Sequence, residues 1–237
     1  MRPPGRGDAG AYAIGPLPRP FQRPLNPAAA ATSIGPLSTS DVDQALALYA
    51  AGFFPMDDPD EEPFGPLPFY AAEERCVFEL DERSRAALRR RVRRSLRKGR
   101  DWALRLDTRF EDVLEGCAAP RSADDGVWIT PRLATLYRRL HAAGHAHSFE
   151  VHADGRLGAG MLTVTIGRAA MLESMTHWVP HAGNVLVART LDALARRGYH
   201  FADVQLPTAH TMRLGARMIG RDEYERRLHA ALGADGR

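Results

Sequence analysis

An α/β (α+β) fold, with a small N-terminal domain ahead of a larger one built on a mixed sheet flanked by helices, follows from three features of the sequence. Segments of helical and of strand periodicity interleave from residue 41 onward. Two alternating runs, HSFEVHA and RLGAGMLTVTIG, meet at Asp154-Gly155, the strongest hairpin signal in the chain. Hydrophobic residues make up 44% of 237 residues, enough for one large core or for a small domain beside a medium one.

The elements follow in order. Residues 1–37 are rich in Pro, Gly and Ala without apolar periodicity and read as a disordered extension. Its arginines are those of a transit peptide, but its prolines oppose the amphipathic helix such a signal needs. Ser40 is a candidate N-cap for the helix DVDQALALYAA, which Gly52 ends by turning left-handed. Residues 68–80 read as an extended segment or hairpin and complete an N-terminal domain at 38–82, ahead of a domain at 83–237. In 84–99, Leu88, Val92 and Leu96 form one narrow apolar stripe on an otherwise basic helix. Residues 102–107 alternate as a strand, and 110–118 are helical. The segment 131–144 is a helix opened by Pro131 and closed by Gly144. After the hairpin come a strand at 169–174, a helix at 184–197 closed by Gly198, a strand carrying Asp203, and a final helix from Arg221 to about Leu232.

Charge is unevenly distributed. Residues 83–105 hold ten Arg plus Lys98 against the single acid Asp101, while the whole chain is only +3. A dense cationic element beside a more acidic body suits contact with a phosphate backbone. A solvated helix in an Arg-biased sequence reads the same way, and Lys98 is the only lysine. No stretch approaches 18 consecutive apolar residues, so no membrane span is expected. Cys76 and Cys117 need no disulfide and fit a reducing cytoplasm.

Residues 199–221, YHFADVQLPTAHTMRLGARMIGR, carry the chemistry most open to reading. Asp203 and Gln205 stand two apart before Pro207, and in a strand such positions share a face. A carboxylate and a carboxamide side by side suit holding an amine and a carbonyl together; the same spacing also describes an edge strand with solvated polar ends.

This stretch resembles the C-terminal signature of the leucyl/phenylalanyl-tRNA-protein transferases in its Asp203, Gln205, Thr208, His210, Leu214, Gly215, Ala216, Ile219 and Arg221. Five more patches match in the same order: YAAGFFP (49–55), RRSLRK (93–98), WITP (128–131), LHAAGHAHSFEV (140–151) and ESM (173–175). The resemblance implies a GNAT-type acyltransferase domain and aminolysis of an aminoacyl ester. The α-amine of an acceptor protein's N-terminal Arg or Lys would take Leu or Phe from aminoacyl-tRNA. An ester is activated relative to an amide, so no ATP, metal or other cofactor is required. An α-amino pKa near roughly 8 leaves some neutral amine available. The expected protein is a cytoplasmic monomer.

By that resemblance Gln205 lies near the attacking amine, Asp203 polarises or orients it, and Glu173 holds the aminoacyl end. Trp128 would wall the terminal adenosine or donor side chain; core packing is the plain alternative. Met161 and Met175 align with apolar pocket positions, and Arg90, Arg94, Arg97 and Lys98 face the tRNA. His141, His145 and His147 are spaced like metal ligands, but lack a carboxylate or thiolate at ligand spacing, and no metal is expected.

Several positions depart from the family pattern. Ala170 stands for an aromatic, Ala202 for an isoleucine, Leu172 for the glycine before Glu173, Val204 for a cysteine, Gly183-Asn184 for Ser-Lys, Ala159-Gly160-Met161-Leu162-Thr163 for GGLYG and FYAAE (69–73) for WWSPD. These changes cluster at the donor pocket, where Ala170 and Ala202 would enlarge it. Two other classes stay open: a GNAT-type enzyme with another acyl donor, and a divergent paralogue that binds tRNA without turnover. Coenzyme A would call for a glycine-rich pyrophosphate loop, whereas RLGAG (156–160) falls in the hairpin.

Overall fold

A computed structural model describes residues 33–34, 41–57, 66–120 and 127–233. Within the expected N-terminal extension, Ser33–Ile34 (β1) forms a strand; the rest of 1–37, and Ser40, lie outside the described residues. Helix α1 (Asp41–Ala50) ends at Gly52, whose φ of 87° is left-handed as expected. Strands β2 (Phe54–Pro55) and β3 (Leu67–Tyr70) pair with each other, and β3 also pairs with β1, making a three-stranded sheet. β4 (Glu74–Glu79) does not return on β3, so 68–80 is extended but not a hairpin.

Asp81 caps α2 (Glu82–Arg91) by accepting the Ser84 N–H at 3.0 Å. The basic helix then breaks at Val92 into a second piece, α3 (Arg93–Lys98). Val92 nevertheless continues the stripe, since it and Leu88 are buried and Leu96 partly so. β5 (Ala103–Leu106) and α4 (Phe110–Ala118) follow. α5 (Pro131–Ala142) is capped by Thr130 with Pro131 in its first turn. β6 (Ala146–Ala153) and β7 (Arg156–Ile166) form the hairpin, with Asp154 and Gly155 both at positive φ. β8 (Ala169–His177), α6 (Ala182–Arg196) and β9 (Phe201–Asp203) come next. The sequence pattern predicts no element between Pro207 and Arg221, but the chain forms α7 (Ala209–Leu214) and β10 (Arg217–Gly220) before α8 (Arg221–Gly233). α7 is short enough to hide in any periodicity window. A reciprocal Thr208/Thr211 capping box opens it and left-handed Gly215 closes it.

The large sheet runs β10-β4-β9-β8-β7-β6-β5, antiparallel throughout except for β8 beside β9. It thus draws an inner strand, β4, from ahead of the expected boundary at 82. Helices cover both faces. One core gathers α1, α4, α5 and α8 on one side, and the other gathers α2 and α6. Cys76 and Cys117 lie in different cores and form no disulfide.

Candidate active site

The one parallel pair in the large sheet positions the site. β8 and β9 are in register for three residues, Ala169 with Phe201, Ala170 with Ala202 and Met171 with Asp203; β8 then runs on to His177 without β9 beside it. At the parting the β7–β8 ladder slips, because Thr163 faces Leu172 and Leu162 faces Ser174, leaving Glu173 as an extra residue. Such a bulge re-aims side chains. Ala170 and Leu172 face the α6 core before it, and Met175 does so after it. Glu173 turns to the opposite face, where Tyr137 of α5 donates to its Oε2 at 3.1 Å. Its Oε1 is buried without a partner. Burial pushes its pKa up to about 8, against the nearby hydroxyls of Tyr49 and Tyr137 that lower it.

On that same face Asp203 is fully buried and fully occupied. It accepts from Arg75 through both Nε and Nη2, from Tyr224 Oη at 2.9 Å, and from the backbone N–H of Gln205 at 2.8 Å. Arg75, only 1% exposed, lies between the rings of Phe54 (4.7 Å) and Tyr224 (4.3 Å) and donates to the Gly52 carbonyl at 2.6 Å. Burial opposes its charge, but Asp203 outweighs that and Arg75 stays a cation. A buried ion pair with every polar atom matched resists rearrangement.

The expectation that Asp203 and Gln205 share a strand face is corrected by this geometry. β9 ends at Asp203, and Gln205 sits in the turn beyond with φ 57°. Cys76 N–H bonds its carbonyl at 2.9 Å, and Asp203 holds its N–H. Left-handed backbone at a non-glycine residue is uncommon and persists where surroundings over-determine it. Its Nε2 is buried without a partner. The two residues are therefore coupled end to end, with Asp203 setting the backbone that aims Gln205. The pairing of Asp203 and Glu173 also gives little field for a cationic acceptor. Arg75 neutralises the first, and the second is mostly protonated at pH 7.

Beside these groups opens a cleft of about 810 Å³. Its lining grades from buried apolar (Phe78, Met161, Leu172, Val187, Leu214) to more exposed and polar (His177, Trp178, His181, Asn184). Glu173 and Ser174 border it, as do Val204 and Leu206 on either side of Gln205. Met161 and Met175 line it. Trp128 does not: it is partly buried against the α1/α5 core, next to the Thr130 that caps α5. Ala170 and Ala202 are register partners with no exposed surface and lie beneath the cleft rather than in its wall.

The basic element sorts its arginines. Arg85 and Arg89 each reach Asp192 of α6 at 2.6 Å and also pair with Glu82, fastening α2 to the body. Arg90, Arg93, Arg94, Arg97 and Lys98 are exposed. A shallow groove of about 640 Å³ is lined by Arg89, Arg90, Arg93, Arg97 and Arg100 around Leu96; Arg94 and Lys98 do not line it. α3 meets the cleft at Ser95, whose Oγ lies 3.1 Å from His181 Nδ1 and accepts from Asn184 Nδ2 at 3.1 Å. Among the histidines, His141 stacks on Phe110 at 3.8 Å, and His147 Nδ1 lies 2.8 Å from Asp107. Asp107 also lies 4.0 Å from His141 Nδ1, so the two histidines share one carboxylate.

Sequence reasoning missed Arg75, the three tyrosines and Trp178. The one signal in the sequence was Arg75 itself, a charge that opens the strand segment RCVFEL and, if buried with it, demands a partner.

Fold and cleft together define an α/β enzyme whose site joins a buried apolar end to an open polar one, with matched charge behind it. A family profile described as leucyl/phenylalanyl-tRNA protein transferase matches residues 80–229. A protein of that name from Solidesulfovibrio magneticus is 39% identical over 82% of this chain and 76% of its own. One from Chlorobium phaeobacteroides is 36% identical over 81% of this chain and 95% of its own. The chain belongs to the leucyl/phenylalanyl-tRNA protein transferase family and is an aminoacyltransferase. Among solved structures, one described as L-PGS from Bacillus licheniformis is 12% identical over 69% of this chain and 50% of that one, with a TM-score of 0.38, too distant to bear on function. No helix among the described residues is long and apolar enough to cross a membrane.

Proposed function

We propose that this chain moves Leu, Phe or a similar apolar amino acid from aminoacyl-tRNA to the N-terminal Arg or Lys of an acceptor protein, as a cytoplasmic monomer, marking that protein for degradation. The observation that carries the reading is two buried polar atoms without partners next to the cleft, Oε1 of Glu173, a residue that borders it, and Nε2 of Gln205, which sits in the turn between its lining residues Val204 and Leu206. Buried groups of this kind cost stability unless a ligand or water completes them.

The α-amine attacks the ester carbonyl, a C–N bond forms, the C–O bond to ribose breaks, and the amine's proton passes to the departing ribose oxygen. Gln205 contacts the reacting groups, and Asp203 is a positioning residue, because it has no acceptor site left for an incoming amine. Glu173 steadies the aminoacyl end at the bulge. Catalysis is then mostly placement of two substrates. The buried apolar end of the cleft takes the donor side chain, with Met161 and Met175 adapting to its shape. The acceptor preference rests on family membership alone, since the acids at the site are compensated or protonated. The GNAT-type assignment is supported by the parting of β8 from β9 at the site. The outward arginines contact tRNA phosphates, with Ser95 linking that face to the cleft.

The test is transfer of labelled Leu from Leu-tRNA to a peptide beginning with Arg. Label in the peptide is the expected result; intact tRNA binding without label, for any apolar donor, would mean a binding protein that has lost turnover.

A further inference from the structure

Three buried polar atoms are left without partners on the α6 side of the large sheet: Nε2 of His147, Oγ1 of Thr163 and Oγ1 of Thr190. Thr163 and Thr190 have no exposed surface, and His147 is 3% exposed. Groups buried in this way cost stability unless something completes their hydrogen bonds. They also belong to one place. His147 and Thr163 are register partners on β6 and β7 and so share a face, the one on which the next such pair, Phe149 with Met161, packs in the α6 core. Thr163 is in turn the partner of Leu172 on β8. α6 runs back along β8. Its Gly183 faces Met175 and His177 near the end of that strand, and Gly198 beyond the helix meets Arg168 just before it. Thr190 lies two turns on from Gly183 and shares its face, while Arg189 and Asp192 reach the other way, to the end of α3 and to α2. Seven residues of helix advance about 10 Å, as far as about three residues of strand. From Met175 that arrives at Leu172 and its partner Thr163.

Met161, Leu172, Met175, Gly183 and Val187 line the cleft on this same face, so the three groups lie just behind its buried apolar end. Thr163 is two residues beyond Met161 on one strand face, and Thr190 one turn beyond Val187. A side chain entering past the flexible Met161 thioether meets apolar walls along its length and hydrogen-bonding groups at its tip. That tip must be able to donate. His147 Nδ1 lies 2.8 Å from Asp107, a carboxylate that can only accept, so Nδ1 carries the hydrogen and Nε2 of the neutral ring is an acceptor. The threonine hydroxyls turn to give or take. A thioether cannot serve His147, and serine or threonine is too short to reach it. Resting on the transferase reading above, we propose that Thr163, Thr190 and His147 form a polar subsite at the blind end of the donor pocket, and that the donor it selects is an aromatic side chain ending in a hydroxyl, tyrosine in preference to phenylalanine.

The test charges one tRNA with either amino acid, so that only the side chain differs, and compares kcat/KM for transfer to a peptide beginning with Arg. Wild type should favour Tyr over Phe by about tenfold or more, since a site built to bond a hydroxyl rejects the analogue lacking it. Thr163→Val and Thr190→Val, which remove the hydroxyl and keep the branched shape, should each cut that ratio by about threefold to tenfold; Thr163→Ser should retain it. Damage to the fold would lower both donors alike, and unfolding curves report it. A wild type that transfers Phe at least as well as Tyr, or valine variants that keep the wild-type ratio, overturns the subsite and leaves the transferase reading standing. If no peptide is labelled, binding of the non-reactive 3′ amides of tyrosyl and phenylalanyl adenosine decides. Tighter binding of the tyrosyl form, lost in Thr163→Val, sustains the subsite and overturns the transferase reading; equal binding overturns both.

Discussion

Arginine is used in two opposite ways in this chain. Arg75 is buried, matched atom for atom, and fixed between two rings; Arg90, Arg93, Arg94 and Arg97 stand in solvent along two short helices. The first acts through geometry over a few ångströms, the others through a field that salt screens. A single substitution should therefore be severe at Arg75 and slight on the helices, where only the sum matters.

The sharpest break of that comparison is Arg75→Met. It leaves Asp203 charged and buried without its counter-ion, which costs about 3–5 kcal/mol, read by urea unfolding. Arg75→Lys should recover little, because an ammonium cannot serve two carboxylate oxygens and the Gly52 carbonyl in one plane. Should the lysine variant match wild type in stability and turnover, charge alone suffices and the positioning argument falls.

Gln205→Ala comes next. It removes the unpartnered Nε2 while leaving the ion pair behind it, so kcat should drop about 100-fold with tRNA affinity unchanged. Asp203→Asn should lose both stability and kcat, because it strips Arg75 of its partner as well as loosening Gln205. An equal kcat in Gln205→Ala and wild type, from single-turnover transfer, would remove Gln205 from the chemistry.

Glu173 makes a smaller, pH-dependent difference. Its folded pKa is raised from the ordinary 4.5 to about 8, so between those values the unfolded chain releases a proton that the folded one keeps. Stability contributed by this group is full below the lower value and lost as pH rises through the upper. Glu173→Gln mimics the protonated form at every pH. Its melting temperature should gain on wild type as pH rises from 5 to 8 and hold level above that; a pH-independent gap would mean that Glu173 is ionised in the fold.

The exposed region is easier to read from sequence than the buried one. Ten arginines in one segment need no tertiary knowledge, and neither do the hairpin at Asp154-Gly155 or the Pro131 helix start. The left-handed turn at Gln205 has no local trace, since Val204 and Gln205 continue an apolar alternation that predicts strand. Resemblance singles out Glu173, but the bulge that aims it depends on pairing with β7. Trp128 and Trp178 look alike in sequence; only packing sends one to the α1/α5 core and the other to the cleft. Analogy puts Ala170 and Ala202 in a pocket wall, whereas their shared register puts them under the sheet surface.

The mildest effects belong to the helices, and there the structure refines which arginines to choose. Arg90, Arg94 and Arg97 share an outward face by spacing, but the helix is interrupted at Val92 and the groove takes Arg93 instead of Arg94. Replacing Arg90, Arg93 and Arg97 with Gln should weaken every tRNA alike, because phosphates carry no sequence information. It should also make the plot of log K against log salt shallower by roughly 0.7–0.9 for each phosphate that no longer meets a cation. Replacing Arg90, Arg94 and Arg97 should flatten the slope less, by about one phosphate's share. Leu88 and Val92 keep the helices seated in both sets, so unfolding curves should superimpose on wild type. If the two sets give the same slope, the groove is no track for the backbone and the field of the whole face is what binds; if neither changes it, the tRNA lies elsewhere and these arginines are only solvated.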